Sequence, residues 1–331
     1  MNDHQLSRHI SYVEHYLDPL RFFLTDDNIN EVVINPDGSV FIEKAGALHM
    51  QKIDVTLPRD AIKRLAAQLA GETRNPLGEL HPIFSGRVMV WGHPQRVQVV
   101  VEPAIEEGVS LSIRKHLTQT LTVADIDFLD GEQINVNESR RECHRTLADL
   151  AKSSNLSGLF RHAIAEKSNI LISGGTSSGK TTVARALLAI SDSAERIITI
   201  EDAQELDSPH KNQVRLLADR DERSARNPSR LLESCLRMRP DRILLGEIRG
   251  AEAYAFLEAI NTGHPGAIAT LHADSPQLAF ERLAFMVMRS GIQMSHGEII
   301  DYARRTIDLV VQVGRRHGRR GVLEIYLPPH T

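Results

Sequence analysis

The order of apolar and polar positions divides the chain into two parts with different secondary structure. Within residues 29–44, two alternating apolar stretches flank a Pro-Asp-Gly turn, which is the pattern of an antiparallel hairpin. An Ala/Leu-rich stretch at 59–70 predicts a helix, and three more alternating stretches read GRVMVW, RVQVVVE and VSLSIRK. These patterns predict a small N-terminal α+β domain over residues 1–115.

The second part alternates helical stretches with short, β-branched runs. In order, LSGLFRHAIAEK predicts a helix, NILIS a buried strand, TTVARALLAI a helix, and RIITIE and RILLGEI two further strands. Such alternation is typical of an α/β domain with a mainly parallel sheet. We place this domain at residues 151–331. Residues 116–150 are polar and show no sustained period, so we interpret them as a linker.

Composition limits the class of protein. A length of 331 residues exceeds what one hydrophobic core usually organises, which agrees with two domains. The sequence has no run of about 18 apolar residues that could span a bilayer, and its first residues lack the apolar region of a signal peptide. We therefore expect a cytoplasmic location. Two cysteines are too few for a disulfide framework or a four-cysteine site, so no zinc is expected.

Charge argues against a dedicated nucleic-acid binder. The net charge of −4 gives no field that would gather polyanions, and an aromatic content of 5% offers few rings for stacking bases. No specific nucleic-acid partner is therefore expected. The basic run RRHGRR at 315–320 is a local exception. Its glycines and flanking alternating segments predict a solvated hairpin tip.

The segment GGTSSGKT at 174–181 carries the strongest chemical signal. It matches the pattern G-x-x-x-x-G-K-[ST] between a predicted strand and a predicted helix, so its backbone N–H groups would surround phosphate at a positive helix end. Lys180 would neutralise the β- and γ-phosphates, and the Thr181 hydroxyl would enter the Mg²⁺ shell. We predict binding of ATP and Mg²⁺. The predicted nucleotide-binding residues are Gly174, Gly175, Thr176, Ser177, Ser178, Gly179, Lys180, Thr181 and Thr182.

Acidic residues follow two of the predicted strands. Glu247 ends the strand RILLGEI, where Gly246 replaces the Asp of the common pattern. A carboxylate at the carboxyl end of a parallel strand would lie beside the phosphate loop and could orient the attacking water, although a surface Glu after a core strand is the alternative. Glu201, Asp202 and Glu205 cluster after another strand and could reach the same crevice. Asp202 could instead cap a helix.

Two histidines flank a Gly/Pro turn and a short strand in NTGHPGAIATLHADSP. Neither His264 nor His272 has a Cys, His or carboxylate partner at zinc-ligand spacing. A lone His is more often a structural hydrogen-bonding group than a catalyst. A His beside a γ-phosphate could nevertheless sense whether that phosphate is present, so both roles stay open.

Taken together, these segments resemble the motifs of the secretion-superfamily ATPases. GGTSSGKTT, TIEDAQEL, LRMRPDRILLGEIRG and NTGHPGAIATLHADS are similar to the Walker A motif, the Asp box, the Gly-Glu form of Walker B and the His box. The N-terminal segments YLDPLRFFLTDDNINEVVINPDGSVFIE and RVQVVVEPAIEEGVSLSIRKH are similar to the N-terminal domain of the type IV secretion traffic ATPases. The four-cysteine insert typical of type II secretion ATPases is missing. The resemblance favours the type IV secretion branch over a type IV or tight-adherence pilus assembly ATPase.

The resemblance implies a RecA-like P-loop domain and a Mg-dependent ATPase. It also implies a homo-hexamer, peripherally associated with the cytoplasmic face of the inner membrane, that works with other secretion-system components in substrate translocation or pilus biogenesis. Metal-binding roles would belong to Thr181, Glu201 and Glu247. Arg96 and Arg114 match N-terminal-domain arginines that reach towards the nucleotide phosphates, so domain closure would depend on the nucleotide. The implied catalytic residues are Glu247, Glu201, Glu205, His272, Arg96 and Arg114.

Other functional classes stay open at this point. Arg237 and Arg239 in LRMRPD follow a predicted helix capped near Ser229, and they could act across a subunit interface as arginine fingers. A DNA-translocating ATPase would share the phosphate loop, as would a non-enzymatic nucleotide-sensing scaffold in which Glu247 is incidental.

Overall fold

A computed structural model describes residues 11–116 and 122–329. The chain divides into two compact units, Met1–Thr118 and Gln119–Thr331. The expectation about a signal peptide rests partly on residues 1–10, and part of the predicted linker falls on residues 117–121. Both segments lie outside the described residues. Within the described ranges, no helix is long and apolar enough to cross a bilayer.

The described part of the N-terminal unit is an antiparallel sheet with helices, as the alternating patterns predict. The sheet has the strand order β3-β2-β1-β6-β5-β4. The predicted Pro-Asp-Gly hairpin is confirmed, because β1 and β2 pair antiparallel and Asp37 Oδ1 accepts a hydrogen bond from the Ser39 N–H at 3.0 Å. The elements are α1 (Tyr12–Leu17), α2 (Arg21–Thr25), β1 (Ile29–Ile34), β2 (Ser39–Lys44), β3 (Gln51–Thr56), α3 (Arg59–Thr73), β4 (Ile83–Val90), β5 (His93–Val101) and β6 (Val109–Lys115).

The core of this unit lies between one face of the sheet and the helices. Val13 and Leu17 of α1 and Leu65 of α3 belong to the same buried cluster as Val32 of β1 and Val99 of β5. Because side chains alternate between the faces of a strand, Val33 of β1 and Phe41 of β2 lie on the opposite face, where they form a second, smaller buried cluster with Met50.

The C-terminal unit is an α/β structure with a mainly parallel sheet. Its strand order is β13-β12-β7-β11-β10-β8-β9, and among these neighbours β12 and β13 pair antiparallel while the others pair parallel. The elements are α4 (Val136–Lys152), α5 (Leu156–Ala165), β7 (Ile170–Ser173), α6 (Lys180–Ala189), β8 (Ile197–Glu201), β9 (Gln213–Leu217), α7 (Pro228–Cys235), β10 (Arg242–Ile248), α8 (Glu252–Asn261), β11 (Ile268–Leu271), α9 (Pro276–Arg289), α10 (His296–Thr306), β12 (Leu309–Arg316) and β13 (Arg319–Tyr326).

The parallel strands bring the candidate chemistry to one edge of this sheet. All four residues of β7 and of β11 are buried, as expected for strands covered on both faces. The phosphate loop follows β7, and His272 follows β11. Glu201 ends β8, and Glu247 lies at the end of β10. Since the carboxyl ends of parallel strands meet at the same edge, the sheet places these four features side by side.

The structure corrects the extent of the predicted linker. Residues 136–150 form most of helix α4, in which Leu147 is buried and Cys143, Leu150 and Ala151 are partly buried against the core of the C-terminal unit. These four positions form a single narrow apolar stripe in an otherwise polar segment. These positions have helical spacing, but they are few and most of the surrounding residues are polar, so the segment was interpreted as a linker.

Two smaller predictions concern element ends. Helix α7 is capped by Asn227 rather than near Ser229, because the Asn227 side chain accepts a hydrogen bond from the Arg230 N–H at 2.9 Å and Pro228 suits the first helical position. The solvated hairpin at 315–320 is confirmed. His317 and Gly318 turn between β12 and β13 with φ values of 51° and 79°, and the arginines on both sides are exposed.

Candidate functional site

The phosphate loop connects β7 to α6, in the strand–loop–helix arrangement that the sequence predicts. Gly179 precedes the helix with φ of 103°, a conformation that L side chains rarely adopt. At Gly174 the requirement is space, because a Cβ atom there would collide with the Val313 carbonyl oxygen and lie 2.6 Å from the Ser178 hydroxyl. Both glycines are therefore needed for the path of the loop.

Lys180 points back into the loop. Its Nζ donates hydrogen bonds to the Gly174 and Gly175 carbonyl oxygens, both at 2.9 Å, and lies 3.4 Å from Nδ1 of His272. Burial lowers the pKa of Lys180, and the nearby Glu247 carboxylate opposes that shift. The positive charge thus stands at the centre of the loop, where an anion would be bound.

Glu247 and His272 meet beside this lysine. Oε1 of Glu247 lies 3.1 Å from Nε2 of His272, and Oε2 accepts a hydrogen bond from Arg249 at 2.6 Å. Burial alone would raise the pKa of Glu247, but the Arg249 hydrogen bond and the surrounding positive charges lower it more, so the carboxyl is held ionised. Burial lowers the pKa of His272 more than the Glu247 charge raises it. The cluster presents a carboxylate and an imidazole next to the lysine.

The two glutamates of the Asp-box segment have different environments. Glu201 is buried, and its Oε1 accepts hydrogen bonds from the backbone N–H groups of Glu205 and Leu206 at 2.9 and 2.7 Å. Its Oε2 accepts one from the Thr199 hydroxyl. Glu205 is exposed, and its Oε2 accepts a hydrogen bond from the Thr181 hydroxyl at 3.3 Å. Glu201 therefore holds the loop that brings Glu205 to the start of α6.

The presence of a glycine at position 246 is explained by the close approach of Glu201. A Cβ atom on Gly246 would lie 3.2 Å from Cγ of Glu201 and 3.2 Å from the Ile200 carbonyl oxygen. The side chain of Glu201, from the neighbouring strand β8, lies so close to this position that a Cβ atom there would force Glu201 to shift by a few tenths of an ångström. The unusual Gly-Glu sequence is thus linked to the buried glutamate of β8.

We expect Gly246→Asp to lower both stability and ATP turnover rather than to restore a missing metal ligand. The added side chain crowds the buried Glu201 and places a second negative charge against it, and overpacking of this kind costs about 1–3 kcal/mol. Urea unfolding and ATP turnover would measure the two effects. Gly246→Ala adds the Cβ without the charge, so it should show a smaller loss. Higher turnover in the Asp variant would contradict this account of Gly246.

Asp202 takes part in an ion-pair network and does not cap a helix. It lies 2.8 Å from Nε of Arg220 and 3.4 Å from Nη1 of Arg249. Glu252 joins both arginines, with its carboxylate 2.7 Å from Arg220 Nη1 and hydrogen-bonded to the Arg249 backbone N–H. Sequence reasoning missed Arg249, Arg220 and Glu252. For Arg249 and Glu252 the sequence signal was weak, namely the alternating charges in EIRGAE, and Arg220 lies in a separate segment of the chain.

Three other predicted residues lie away from this edge. His264 precedes β11 and Arg239 precedes β10, so both are near the amino ends of parallel strands, opposite the phosphate loop. Arg239 pairs with Asp241, and Arg237 donates to the Glu233 carbonyl oxygen. Across the described ranges, no group of three His, Cys, Asp or Glu residues is arranged to hold a metal ion. Because His264 lies before the amino end of β11, it is at the opposite end of the strands from the phosphate loop of its own chain.

The two predicted arginines of the N-terminal unit are neighbours in its sheet. Arg96 of β5 lies directly opposite Arg114 of β6, and Arg87 of β4 lies opposite Arg96. All three side chains are exposed. Like charges that face each other across strands are destabilising, and Glu31 of β1, which lies opposite Arg114 on its other side, adds one negative charge to this row. Sequence reasoning missed Arg87, because strand register is not contained in the alternation of single strands.

Comparisons with known proteins agree with these features. The model of the family described as "Type II/IV secretion system protein" matches residues 99–314. The type IV secretion system protein VirB11 of Bartonella quintana is 34% identical to the chain, over 99% of this chain and 96% of that protein. The VirB11 protein of Agrobacterium tumefaciens is 30% identical over 89% of the chain and 88% of its own length. The crystal structure of the Brucella suis VirB11 ATPase with sulphate superimposes with a TM-score of 0.83 at 32% identity, covering 96% of this chain and 97% of that one.

Proposed function

The chain belongs to the type II/IV secretion system protein family, and from that premise we propose that it is the ATP-hydrolysing motor of a type IV secretion system. In this role it would energise substrate translocation or pilus biogenesis. VirB11 relatives that match nearly the whole chain at 34% identity support the type IV branch. The cluster of Lys180, His272 and Glu247 at the phosphate loop is the observation that carries the enzymatic part.

Each member of this cluster has a proposed task in phosphoryl transfer. Lys180 neutralises the β- and γ-phosphates, for which its position inside the loop is suited. The ionised Glu247 orients the attacking water, and Arg249 and His272 fix its two oxygens in place. His272 bridges Glu247 and Lys180, so its position would respond to the γ-phosphate that Lys180 binds. Catalysis on this plan is mainly positioning and charge stabilisation.

The residues at the start of α6 fit Mg²⁺. Thr181 and Glu205 offer hard oxygen donors that already lie in contact, and Glu205 is exposed. Both oxygens of Glu201 accept hydrogen bonds within the protein, so we propose that Glu201 positions Glu205 and does not bind the metal itself. Thr181 and Glu205 are therefore the proposed metal ligands, and Glu247, whose two oxygens are held by Arg249 and His272, is assigned to the attacking water instead of the metal. Mg²⁺ held by these residues would supply positive charge that neutralises the phosphates of the nucleotide.

The arginine row of the N-terminal unit gives the motor a proposed second component. Arg96 and Arg114 present two adjacent guanidinium groups, and guanidinium groups form short, strong hydrogen bonds with phosphate. We propose that these groups contact the phosphates during the cycle. ATP hydrolysis in the C-terminal unit would then move the N-terminal unit, which is what a motor requires.

This coupling is tested by the double substitution Arg96→Ala/Arg114→Ala. ATP turnover should fall about tenfold or more, since two charge-assisted phosphate contacts are lost. Arg64→Ala on α3 removes an exposed charge from the same unit and should leave turnover unchanged. Equal rates in the double variant and the wild type would remove these arginines from the cycle.

The wild-type arm of this assay separates the functional classes. A chain without Mg-dependent ATP turnover would be a nucleotide-sensing scaffold and would overturn the motor. Stimulation by single-stranded DNA with a steep salt dependence would identify a DNA-translocating ATPase instead.

Assembly and location complete the proposal. We propose a homo-hexamer that lies at the cytoplasmic face of the inner membrane and works with other components of the secretion system. Membership of the family supports this, with relatives named as type IV secretion system proteins. Sedimentation with a non-hydrolysable ATP analogue would measure the ring size, and a monomer under all conditions would contradict it. Co-sedimentation with inner-membrane vesicles would test the location.

A further inference from the structure

The β12–β13 hairpin carries two pairs of arginines that face each other. Arg315 lies opposite Arg320, and Arg316 lies opposite Arg319. All four are exposed, and in the part of the chain that the structure describes none of them has a carboxylate at ion-pair distance. Like charges directly opposite each other destabilise a strand pair. A hairpin tip that is only solvated gains no stability from paired arginines. An anion bound between them would offset their repulsion.

The two arginine pairs lie on different faces of the hairpin. Val311 and Val313 of β12 belong to the same buried cluster as Leu187 and Leu188 of α6, the helix that follows the phosphate loop. Side chains alternate along a strand, so Arg315, two residues after Val313, lies on the α6 face. Its cross-strand partner Arg320 shares that face. Arg316 and Arg319 lie on the opposite face.

The α6-face pair also lies at the edge of the sheet that carries the phosphate loop. β12 runs parallel to β7 as far as the pair Gln312 and Ser173. Val313 then packs on the first glycine of the loop, because a Cβ atom on Gly174 would lie 2.8 Å from Val313 Cγ2. Arg315 is about 7 Å further along the strand. The hairpin therefore extends past this edge beside the loop.

The order of the strands in the sheet indicates which part of a bound nucleotide lies closest to the β12–β13 hairpin. Glu247 and His272 lie on β10 and after β11, on one side of β7, and β12 lies on the other side. The γ-phosphate belongs next to Glu247, so the remainder of the nucleotide extends towards β12. We propose that Arg315 and Arg320 bind the α-phosphate side of a nucleoside di- or triphosphate held by the loop. This inference rests on the proposed function as an ATPase.

The test compares two double variants that remove the same charge from the same hairpin. Arg315→Ala/Arg320→Ala should weaken binding of ADP and of a non-hydrolysable ATP analogue about tenfold or more, to the same extent for both. Arg316→Ala/Arg319→Ala should stay within about threefold of the wild type. In turnover assays the first variant should raise KM and keep kcat at saturating ATP. Neither variant removes a buried group, and a melting curve of each checks that folding is retained.

Several outcomes would overturn the proposal. An equal loss of nucleotide affinity in both double variants would indicate that the hairpin acts only through its overall positive charge. Unchanged affinity in both variants would show that the hairpin has no part in nucleotide binding. A loss confined to the ATP analogue would place the pair at the γ-phosphate. Loss of single-stranded oligonucleotide binding with normal ADP binding would assign the hairpin to nucleic acid.

Lys180→Ala serves as the reference for the nucleotide site itself. If Lys180→Ala weakens ADP binding and Arg315→Ala/Arg320→Ala does not, only the role of the hairpin fails. If Lys180→Ala binds ADP as the wild type does, the nucleotide site and the proposed function fail. Should either double variant melt at a lower temperature, Arg315→Gln/Arg320→Gln and Arg316→Gln/Arg319→Gln would repeat the comparison with polar side chains of similar length.

Discussion

Replacing Glu247 by Gln will lower the rate of ATP turnover by about 10²–10⁴-fold while the protein still binds ATP. The amide keeps the size of the side chain but loses the charge that orients the attacking water. The carboxylate is held ionised beside Arg249, His272 and Lys180, so the wild-type group is ready to accept a hydrogen bond from water. Turnover is measured by phosphate release, and binding by titration with a non-hydrolysable ATP analogue.

The matched control is Glu233→Gln, which makes the same chemical change at an exposed position on α7. It should turn over ATP at the wild-type rate. A Glu247→Gln variant as fast as the wild type would remove Glu247 from catalysis and leave it as a group that positions its neighbours. Equal losses of binding and turnover would instead indicate that Glu247 supports the shape of the loop, since a transition-state contact should affect turnover alone.

The parts of the site that could be predicted are those coded within a few consecutive residues. The phosphate loop at 174–181 combines glycines, a lysine and a threonine between a strand and a helix, so its path follows from local sequence. Glu247 and His272 could be placed because each is at the carboxyl end of a parallel strand, and such ends share an edge. The predicted strands β7, β10 and β11 were therefore enough to place the phosphate loop, Glu247 and His272 at one site.

Contacts between distant segments could not be predicted from patterns. The different environments of Glu201 and Glu205 depend on the irregular loop between them, whose backbone N–H groups bond to Glu201. The role of Gly246 depends on which strand lies next to β10. The arginine row containing Arg87 depends on register, because a shift by one residue would place the charges on the other face.

A second large effect lies at the opposite edge of the C-terminal sheet. Arg242 is fully buried, and its guanidinium makes two hydrogen bonds to the Glu195 carboxylate, at 2.8 and 3.1 Å. It also donates to the Gly266 and Ile164 carbonyl oxygens, and Lys167 adds a bond to Glu195 at 2.5 Å. The pair thus ties the start of β10 to α5 and to the turn before β11. No local sequence pattern predicts this buried ion pair.

Glu195→Gln should destabilise the C-terminal unit by about 3–5 kcal/mol, because the guanidinium of Arg242 would stay buried without a compensating charge. Urea unfolding followed by circular dichroism measures the loss. Glu107→Gln removes the carboxylate of an exposed pair with Arg59 and should change stability by less than about 1 kcal/mol. A loss in Glu195→Gln no larger than that of Glu107→Gln would show that backbone contacts alone satisfy Arg242.

The contribution of Glu195 should also depend on pH in a defined direction. Burial alone would raise the pKa of Glu195, but the hydrogen bonds and charges of Arg242 and Lys167 lower it more, so the folded pKa lies below the usual 4.5. A depressed carboxyl pKa stabilises the folded state above the unfolded pKa, and the stabilisation is lost as pH falls through the folded value. The stability difference between wild type and Glu195→Gln should therefore be constant near neutral pH and shrink below about pH 4.5. A difference that persists unchanged at pH 3 would mean that shape, and not charge, makes Glu195 necessary.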